Sequence, residues 1–515
     1  MAIPEEMIPS LFRYLTMPWL TKSRYVSGRQ CTRRLHLEAY APELRTPITP
    51  AQERLFAQGR EVGERARTEL YPGGVSAEAS KPWEGVRLTN SLLAHGTPII
   101  YEAAFLTGNI YAKVDVLKVV GPKEVEVIEV KGGLSEKGDY LYDLAFQCHV
   151  VQQAGYRVRA ARLVYLNRDC RFPHLEVLFL VGDMTDKVFA MLPEIAAEVM
   201  VFQEVLSQSR SPEVAVGSHC SEPYDCPFKA HCWQHVPENS IFTIPRFNRN
   251  VADGLAADGI LHLDDLPDDV RLTERQQLHV DLMRGGVPQV NRSGLRDLLG
   301  ELQGPEYYLD FETLSPAIPR FDGMGPYQAF PFQFSVHVRH ANGTLTHHAY
   351  LHGDTSDPRR PLAEALVRAI GSTGSVIAFN AGFERRVIEN LAVLFPDLAP
   401  ALRGIVARLW DLRDAFSKNI VQHPGFLGST SLKRVLPVLV PGLSYETLEV
   451  GSGDDAGAVW EQYISSGDNE ERAKLCQALE AYCCLDTYGM VRLVDTLRRM
   501  AFSPSIRTAL RATSH

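Results

Sequence analysis

Cys220, Cys226 and Cys232 follow one another at two equal spacings, and a fourth cysteine, Cys31, lies far upstream of them. Between the two ends runs a pair of strand-like segments, NIYAKVDVLKVV with Asp115 and EVEVIEVKGG with Glu129 and Lys131. If the four thiols share one centre, the chain must fold so that both ends of this stretch meet. Four thiols bracketing a polar strand pair therefore read as a clamp around a buried core.

Nine cysteines, an odd number, do not make a disulfide framework in a chain of this length. Thiolates are soft ligands that favour zinc or an iron–sulfur centre over hard cations. Zinc ligands often come as CxxC pairs. The Cys-x5-Cys-x5-Cys run with a remote fourth member shifts the balance toward a cluster. Cys148, Cys170, Cys476, Cys483 and Cys484 lack such spacing and read as apolar filler.

A length of 515 residues predicts two or three domains, and 45% hydrophobic with 22% charged residues is ordinary for globular protein. No run of eighteen apolar residues occurs, so no membrane span is expected. The opening MAIPEEMIPSLFRYL carries acidic residues where a secretion signal has positive charge, which makes the cytoplasm the expected compartment. A net charge of −9 argues against a generally basic nucleic-acid binder but is compatible with acidic metal ligands beside a local basic groove. TKSRYVSGRQCTRRLH offers one such patch in Lys22, Arg24, Arg29, Arg33 and Arg34. A solvated helix face is the competing reading.

Three segments follow from the patterning. Residues 1–235 form an α/β unit, with β-rich stretches near 99–131 and 158–182, a helix near 141–155, and the amphipathic DKVFAMLPEIAAEVMVFQEVLSQ before the cysteine run. Residues 236–300 look helical and connective. Within them VADGLAADGILHLDDLP loosely resembles a helix–hairpin–helix, a module that holds a phosphate backbone on turn N–H groups, with a plain linker as the alternative. Residues 301–515 form a second α/β unit: strands EYYLDFETL, FPFQFSVHV and THHAYLH, a helix near 360–370, the buried strand SVIAFN, and helices to the end. That order fits a mixed sheet flanked by helices.

Residues two apart on a strand share a face, so Glu129 and Lys131 point the same way. Asp115 lies on the preceding strand, which can pair with theirs through the turn at Gly121-Pro122. Paired carboxylates hold Mg2+ through oxygen, and a nearby ammonium can orient the attacking water. An ordinary hairpin with surface charges is the alternative. The arrangement resembles the RecB-type PD-(D/E)xK nucleases with a four-cysteine 4Fe–4S cluster, among them the CRISPR-associated exonucleases and AddB-type nuclease domains. There too one cysteine precedes the core and three follow it. The resemblance implies a restriction-endonuclease-like domain. Asp115, Glu129 and Lys131 would be catalytic, Asp115 and Glu129 metal ligands, and Cys31, Cys220, Cys226 and Cys232 cluster ligands. Two positions depart from the family. Gly63, in GREVGERA, stands near where a histidine is common, and the QxxxY motif is present only as Gln147, with Val151 at the tyrosine position. Glu102, in YEAAF, is a further candidate carboxylate. These departures keep open a non-catalytic nucleic-acid-binding or redox-sensing module.

In the second unit, Asp310 and Glu312 of YLDFET alternate along an apolar strand, where unpartnered carboxylates are costly and a divalent metal is the common remedy. Glu384, in AFNAGFE, follows another apolar strand, and AYCCLDTYGM sets Tyr482 and Asp486 one helical turn apart. Four carboxylates and a tyrosine match two-metal phosphodiester hydrolysis, with ions about 4 Å apart. The set resembles the RNase H-like DEDD exonucleases whose last motif is YxxxD. By that resemblance Asp310, Glu312, Glu384 and Asp486 bind metal and Tyr482 positions water. Glu384 stands where the family has aspartate, and Asp411, with Asp414 in LWDLRDAF, is an alternative ligand or a capping residue.

YLDFET, GPYQAFPFQFSVH and GSTSLK extend the resemblance to bacterial proteins that join the two nuclease types in one chain. The expectation is a nuclease requiring Mg2+ or Mn2+. It would hydrolyse DNA with 3′→5′ exonuclease character in repair or defence, and bind nucleic acid but no membrane. RNA processing by the second unit is the alternative, because discrimination of the 2′-OH rests on contacts outside these motifs.

Overall fold

The computed structural model describes residues 17–446 and 448–502. The chain is mixed α/β and its described residues divide into two compact units, one of residues 17–48, 52–235 and 316–328, the other of 49–51, 236–315, 329–446 and 448–502.

The first unit is built on β1 (Leu20–Thr21), β2 (Val75–Ser76), β3 (Ile99–Thr107), β4 (Ile110–Gly121), β5 (Glu124–Val130), β6 (Arg157–Leu166) and β7 (Phe179–Asp183). The sheet order is β2-β3-β4-β5-β6-β7, with β1 parallel to β4 at its start. Its helices are α1 (Lys22–Gln30), α2 (Thr32–Tyr40), α3 (Pro50–Leu70), α4 (Pro82–Ala94), α5 (Gly138–Gln153), α6 (Thr185–Ser207) and α7 (Lys229–Cys232). Strands β3, β4 and β5 form an antiparallel meander, and α5 is the crossover that lets β6 run parallel to β5. Every α5 residue from Asp143 to Val151 is buried, so its apolar side chains fill the core while Asp143 and Gln147 are carried inside with them. Tyr25 of α1 stacks on Phe146 of α5 with ring centroids 4.6 Å apart.

Residues 316–328, expected within the second unit, belong to the first. The physical reason is apolar: Ala317 and Ile318 are buried with Val62, Leu166 and Leu178, and the Ala317 N–H donates to Gln58 Oε1 at 3.1 Å.

The second unit contains α8 (Arg249–Ala257), α9 (Glu274–Gly285), β8 (Gln289–Val290), α10 (Arg292–Gly300), β9 (Glu306–Leu314), β10 (Phe330–Arg339), β11 (Leu345–Leu351), α11 (Arg359–Ala369), β12 (Ser375–Ala378), α12 (Gly382–Leu394), α13 (Ala399–Val406), β13 (Leu409–Asp411), α14 (Asp414–Ser417), β14 (Val421–Gln422), α15 (Leu432–Leu439), α16 (Gly453–Ser465) and α17 (Asn469–Phe502). Its main sheet has the order β11-β10-β9-β12-β13, antiparallel across the first three strands and parallel across β9, β12 and β13. Strand β9 is covered on both faces. Tyr307, Leu309 and Phe311 pack with α11–α13, and Tyr308 on the opposite face packs with α10, α15 and α17. By strand periodicity Asp310 and Glu312 share the Tyr308 face and therefore lie under α17.

Within residues 236–300, Leu295 and Leu298 of α10 are buried in the core with Met490 and Leu493. In the stretch likened to a helix–hairpin–helix, α8 is followed by a single 3-10 turn, Leu263–Asp265. No helix among the described residues is long and apolar enough to cross a membrane.

Candidate functional site

In the first unit β4, β5 and α5 bring Asp115, Glu129, Lys131 and Gln147 together. The Val130 N–H donates to Asp115 Oδ2 at 2.8 Å, which ties the two strands through a carboxylate. Lys131 Nζ lies 2.7 Å from Glu129 Oε1, and Gln147 Nε2 donates to Glu129 Oε2 at 2.7 Å. Two members come from outside the recognised motif. Lys22, first residue of α1, reaches Glu129 Oε1 at 2.9 Å and Asp143 Oδ2 at 3.7 Å, and Lys131 also hydrogen-bonds Asp143.

Burial alone would push Glu129 up, but Lys131 and Lys22 outweigh it and hold the carboxyl well below its usual range. Asp115 goes the other way, raised to about 7 by burial and then by repulsion from Glu129. The site thus holds one over-compensated carboxylate and one under-compensated neighbour. Asp143 Oδ1 and Gln147 Oε1 are buried without a hydrogen-bond partner, so the pocket retains oxygen donors for a cation.

Glu102 does not join this group. Its backbone has φ +54°, it lies between the pairs Tyr101–Val116 and Ala103–Val114, and its carboxylate is drawn to Lys113 (2.8 Å) and Arg67 (3.1 Å). The basic patch is likewise largely consumed inside the unit. Arg24 donates to the Trp19 carbonyl, Arg29 pairs with Glu198 at 3.2 Å and Arg34 with Glu38 at 3.0 Å.

The four thiols line one cavity. Cys31 occupies the extended break between α1 and α2, Cys220 and Cys226 come from the loop before α7, and Cys232 ends that helix. The Cys226 N–H donates to the Cys220 carbonyl at 2.9 Å. All four are free thiols. His219 also lines the cavity, 3.6 Å from Cys220 Sγ, and hydrogen bonds to Cys220 and then to Cys31 raise its imidazole to about 10. Arg33, Arg34 and Lys229 also line it, beside the apolar Leu37, Val214, Val216 and Phe228. Cationic side chains beside four soft donors suit a thiolate-ligated centre, which carries negative charge.

In the second unit four carboxylates converge. Asp310 and Glu312 come from β9, Glu384 from the first turn of α12 and Asp486 from α17. Asp310 is pushed well up by burial and then by Asp486, Glu312 and Glu384 in turn. Burial and Asp486 raise Glu312 in the same direction. Burial takes Glu384 to about 8 and Asp486 to about 6. Glu384 is 1% exposed and its Oε2 has no hydrogen-bond partner. Tyr482, one turn from Asp486 on the buried face of α17, faces the same cluster.

Sequence reading missed three members. Tyr445 donates its hydroxyl hydrogen to Asp486 Oδ1, and Cys483, expected as apolar filler, directs its thiol at Asp310 Oδ2 at 3.8 Å. Lys433 lies over the rings of Tyr482 and Tyr445, 5.1 and 5.4 Å from their centroids, while its Nζ donates to the Gly451 carbonyl at 2.6 Å. Its helix, α15, approaches α17 closely where Gly489 sits: a Cβ there would fall 2.7 Å from Leu436 Cδ2. The GSTSLK stretch contained Lys433, but nothing in its spacing tied the lysine to the carboxylates.

Asp411 caps a turn and also stands close enough to Glu384 to push its carboxyl up, after burial. Its Oδ1 accepts the N–H groups of Asn380 (2.9 Å) and Arg413 (3.0 Å), fixing the turn in which Asn380 adopts φ +77°. Asp414 opens α14 and pairs with Lys418 at 2.9 Å.

Residues 307–431 match the profile of a domain of unknown function, DUF2779. That span contains Asp310, Glu312 and Glu384 and ends before Lys433, Tyr445, Tyr482 and Asp486. The chain is similar to the uncharacterized protein MG366 homolog of Mycoplasma pneumoniae, 24% identical over 213 residues that cover 38% of this chain and 32% of that protein. It is also similar to the uncharacterized protein UU173 of Ureaplasma parvum, 25% identical over 206 residues, 36% of this chain and 30% of that protein. A solved structure described as "Crystal structure of SSO0001" aligns at 17% identity over 41% of this chain and 84% of that one, with a TM-score of 0.22 that bears no structural argument. The chain spans about a third of the length of the curated relatives it matches.

Proposed function

We propose that this protein is a metal-dependent nuclease whose cutting centre is the cluster of Asp310, Glu312, Glu384 and Asp486 in an RNase H-like exonuclease domain. The observation that carries the reading is charge. Four buried carboxylates face one another with one nearby lysine, all are held above their ordinary range, and Glu384 Oε2 is left without a partner. Such a set is costly unless a cation joins it.

The oxygen donors fit hard divalent cations. Asp310, Glu312, Glu384 and Asp486 would hold Mg2+ or Mn2+, which supply water activation and neutralise charge on the phosphate. Tyr482 is kept protonated by burial and by Asp486 and Glu312, so its hydroxyl can orient the attacking water. Tyr445 fixes the rotamer of Asp486. Lys433 adds the positive charge that partly offsets Glu312 and Asp486.

The first unit, read as a PD-(D/E)xK domain, takes the alternative role of binding nucleic acid without cutting. Two ammonium groups already occupy Glu129 Oε1 there, and Glu102 is committed elsewhere. Cys31, Cys220, Cys226 and Cys232 would hold a 4Fe–4S cluster, whose chemistry when bound is that of a thiolate-ligated staple closing the domain. Hydrogen bonds from His219 and Trp233 favour thiolate at Cys220 against burial, while burial holds Cys226 and Cys232 up against Arg34 and Arg33.

The test is to incubate the full chain with end-labelled single- and double-stranded DNA and RNA in Mg2+ or Mn2+. Asp310→Ala should abolish degradation and Glu129→Ala should leave it near wild type. No metal-dependent degradation of any substrate would reject the proposal. Loss of cleavage in Glu129→Ala with binding intact would move the cutting centre to the first unit.

A further inference from the structure

His337 and His347 are direct partners across β10 and β11, with ring centroids 4.4 Å apart. Cys484, on α17, completes a group in which one ligand atom from each residue lies within 4.8 Å of the others. The three come from three separate elements and span the range from buried (His337) through half-buried (Cys484) to exposed (His347). None belongs to the carboxylate cluster.

Their surroundings hold the donors in place. Thr487 Oγ1 contacts His337 Nδ1 at 2.8 Å, Ser335 Oγ contacts His347 Nε2 at 2.9 Å, and Ser335 and Thr487 are joined at 2.7 Å. Each imidazole thus has one nitrogen fixed by a hydroxyl and its other nitrogen to offer, the arrangement by which outer partners orient metal-bound histidines. Burial takes His337 down to about 4 and lowers His347 as well, so both rings are neutral, the ligating form, at neutral pH. Glu480, one helical turn before Cys484, acts electrostatically on both Cys484 and His347.

We propose that His337, His347 and Cys484 form a zinc site, with water as the fourth ligand, that staples the β10–β11 hairpin to α17. Two imidazoles and a thiolate are borderline-soft donors that select zinc over the hard cations suited to the carboxylates. Binding releases the Cys484 thiol proton to solvent as the thiolate takes up the ion. The staple lies two residues from Asp486, so it stiffens the helix that carries Tyr482 and Asp486. The inference does not depend on nuclease activity, because its readouts are metal content and stability.

The experiment measures zinc per chain after loading and dialysis, then follows Co2+ substitution by its thiolate charge-transfer band. Wild type, His347→Ala, Cys484→Ser and Cys226→Ser full-length chains are compared. His347→Ala and Cys484→Ser should each bind about one equivalent less than wild type and lose the zinc-dependent rise in melting temperature. Cys226→Ser should keep that equivalent, which separates this site from the four-thiol cavity. His347 is exposed, so its replacement leaves the core untouched. Equal stoichiometry and equal thermal response in wild type, His347→Ala and Cys484→Ser would overturn the site.

Discussion

Lys22 and Glu129, 107 positions apart in the chain, share an ion pair of 2.9 Å deep in the first unit. The contact ties the first residue of α1 to the end of β5 and occupies the carboxylate that a divalent cation would need. Lys22→Ala leaves Lys131 and Gln147 on Glu129, so the loss should be about 1–3 kcal/mol of unfolding free energy, below the figure for stripping a buried ion of every partner. Denaturant titration measures it. The same variant should bind Mn2+ more tightly at Asp115 and Glu129. Unchanged affinity would mean that Lys22 does not compete with a cation there.

The carboxylate cluster should give the metal-free protein an inverted response to pH. Asp310, Glu312, Glu384 and Asp486 all have folded pKa values raised above their unfolded ones. Their contribution to stability is full below about 4 and is lost as pH rises through about 6 (Asp486) to about 8 (Glu384). Each carboxyl that titrates alone adds a slope of about 1.4 kcal/mol per pH unit. In EDTA the melting temperature should fall across this window, Glu384→Gln should flatten part of the fall, and Mn2+ should remove most of it. A profile identical in Glu384→Gln would detach the effect from the cluster.

Asp310→Asn should separate stability from activity. At a pH where the four carboxyls ionise, removing one of these mutually repelling groups should stabilise the metal-free protein by about 1–2 kcal/mol. Nuclease turnover should fall about 1,000-fold, corresponding to several kcal/mol of lost transition-state stabilisation. Tyr482→Phe should cost about tenfold in turnover with Mn2+ affinity unchanged, since it deletes one hydroxyl and no ligand. Calorimetry and single-turnover kinetics distinguish these outcomes.

Sequence alone located the carboxylates because strand and helix periodicity decide which residues share a face: Asp310 with Glu312, Tyr482 with Asp486. It could not locate their partners. Tyr445 reaches Asp486 from a loop and Lys433 from a short helix, contacts that depend on how α15 packs on α17 at Gly489. Lys22 was visible only as one member of a basic patch, and its role follows from the start of α1 at Thr21, whose side chain accepts the Arg24 N–H. Residues 316–328 count with the first unit because Ala317 and Ile318 bury there, a packing choice that strand and helix patterning does not encode. The two backbone N–H groups that Asp411 accepts are contacts that no spacing rule encodes.

His219 links the cysteine cavity to a measurable protonation state. Its imidazole is raised to about 10 by hydrogen bonds to Cys220 and then Cys31, so it is cationic at neutral pH and favours thiolate beside it. Burial works against ionisation of Cys220, yet hydrogen bonds from His219 and Trp233 bring its thiol below the ordinary value. Protein purified without oxygen should be brown, with about four irons per chain and a broad charge-transfer band. Cys226→Ser should lose the iron and lower the melting temperature. His219→Ala should keep all four ligands, yet release its iron faster to a chelator as pH falls, because the Cys220 thiolate is then protonated at higher pH. His219→Lys, which restores a cation, should recover part of that retention. Stoichiometric zinc in place of iron would reassign the metal and keep the clamp; equal chelator release from wild type and His219→Ala would leave His219 without a role at the thiols.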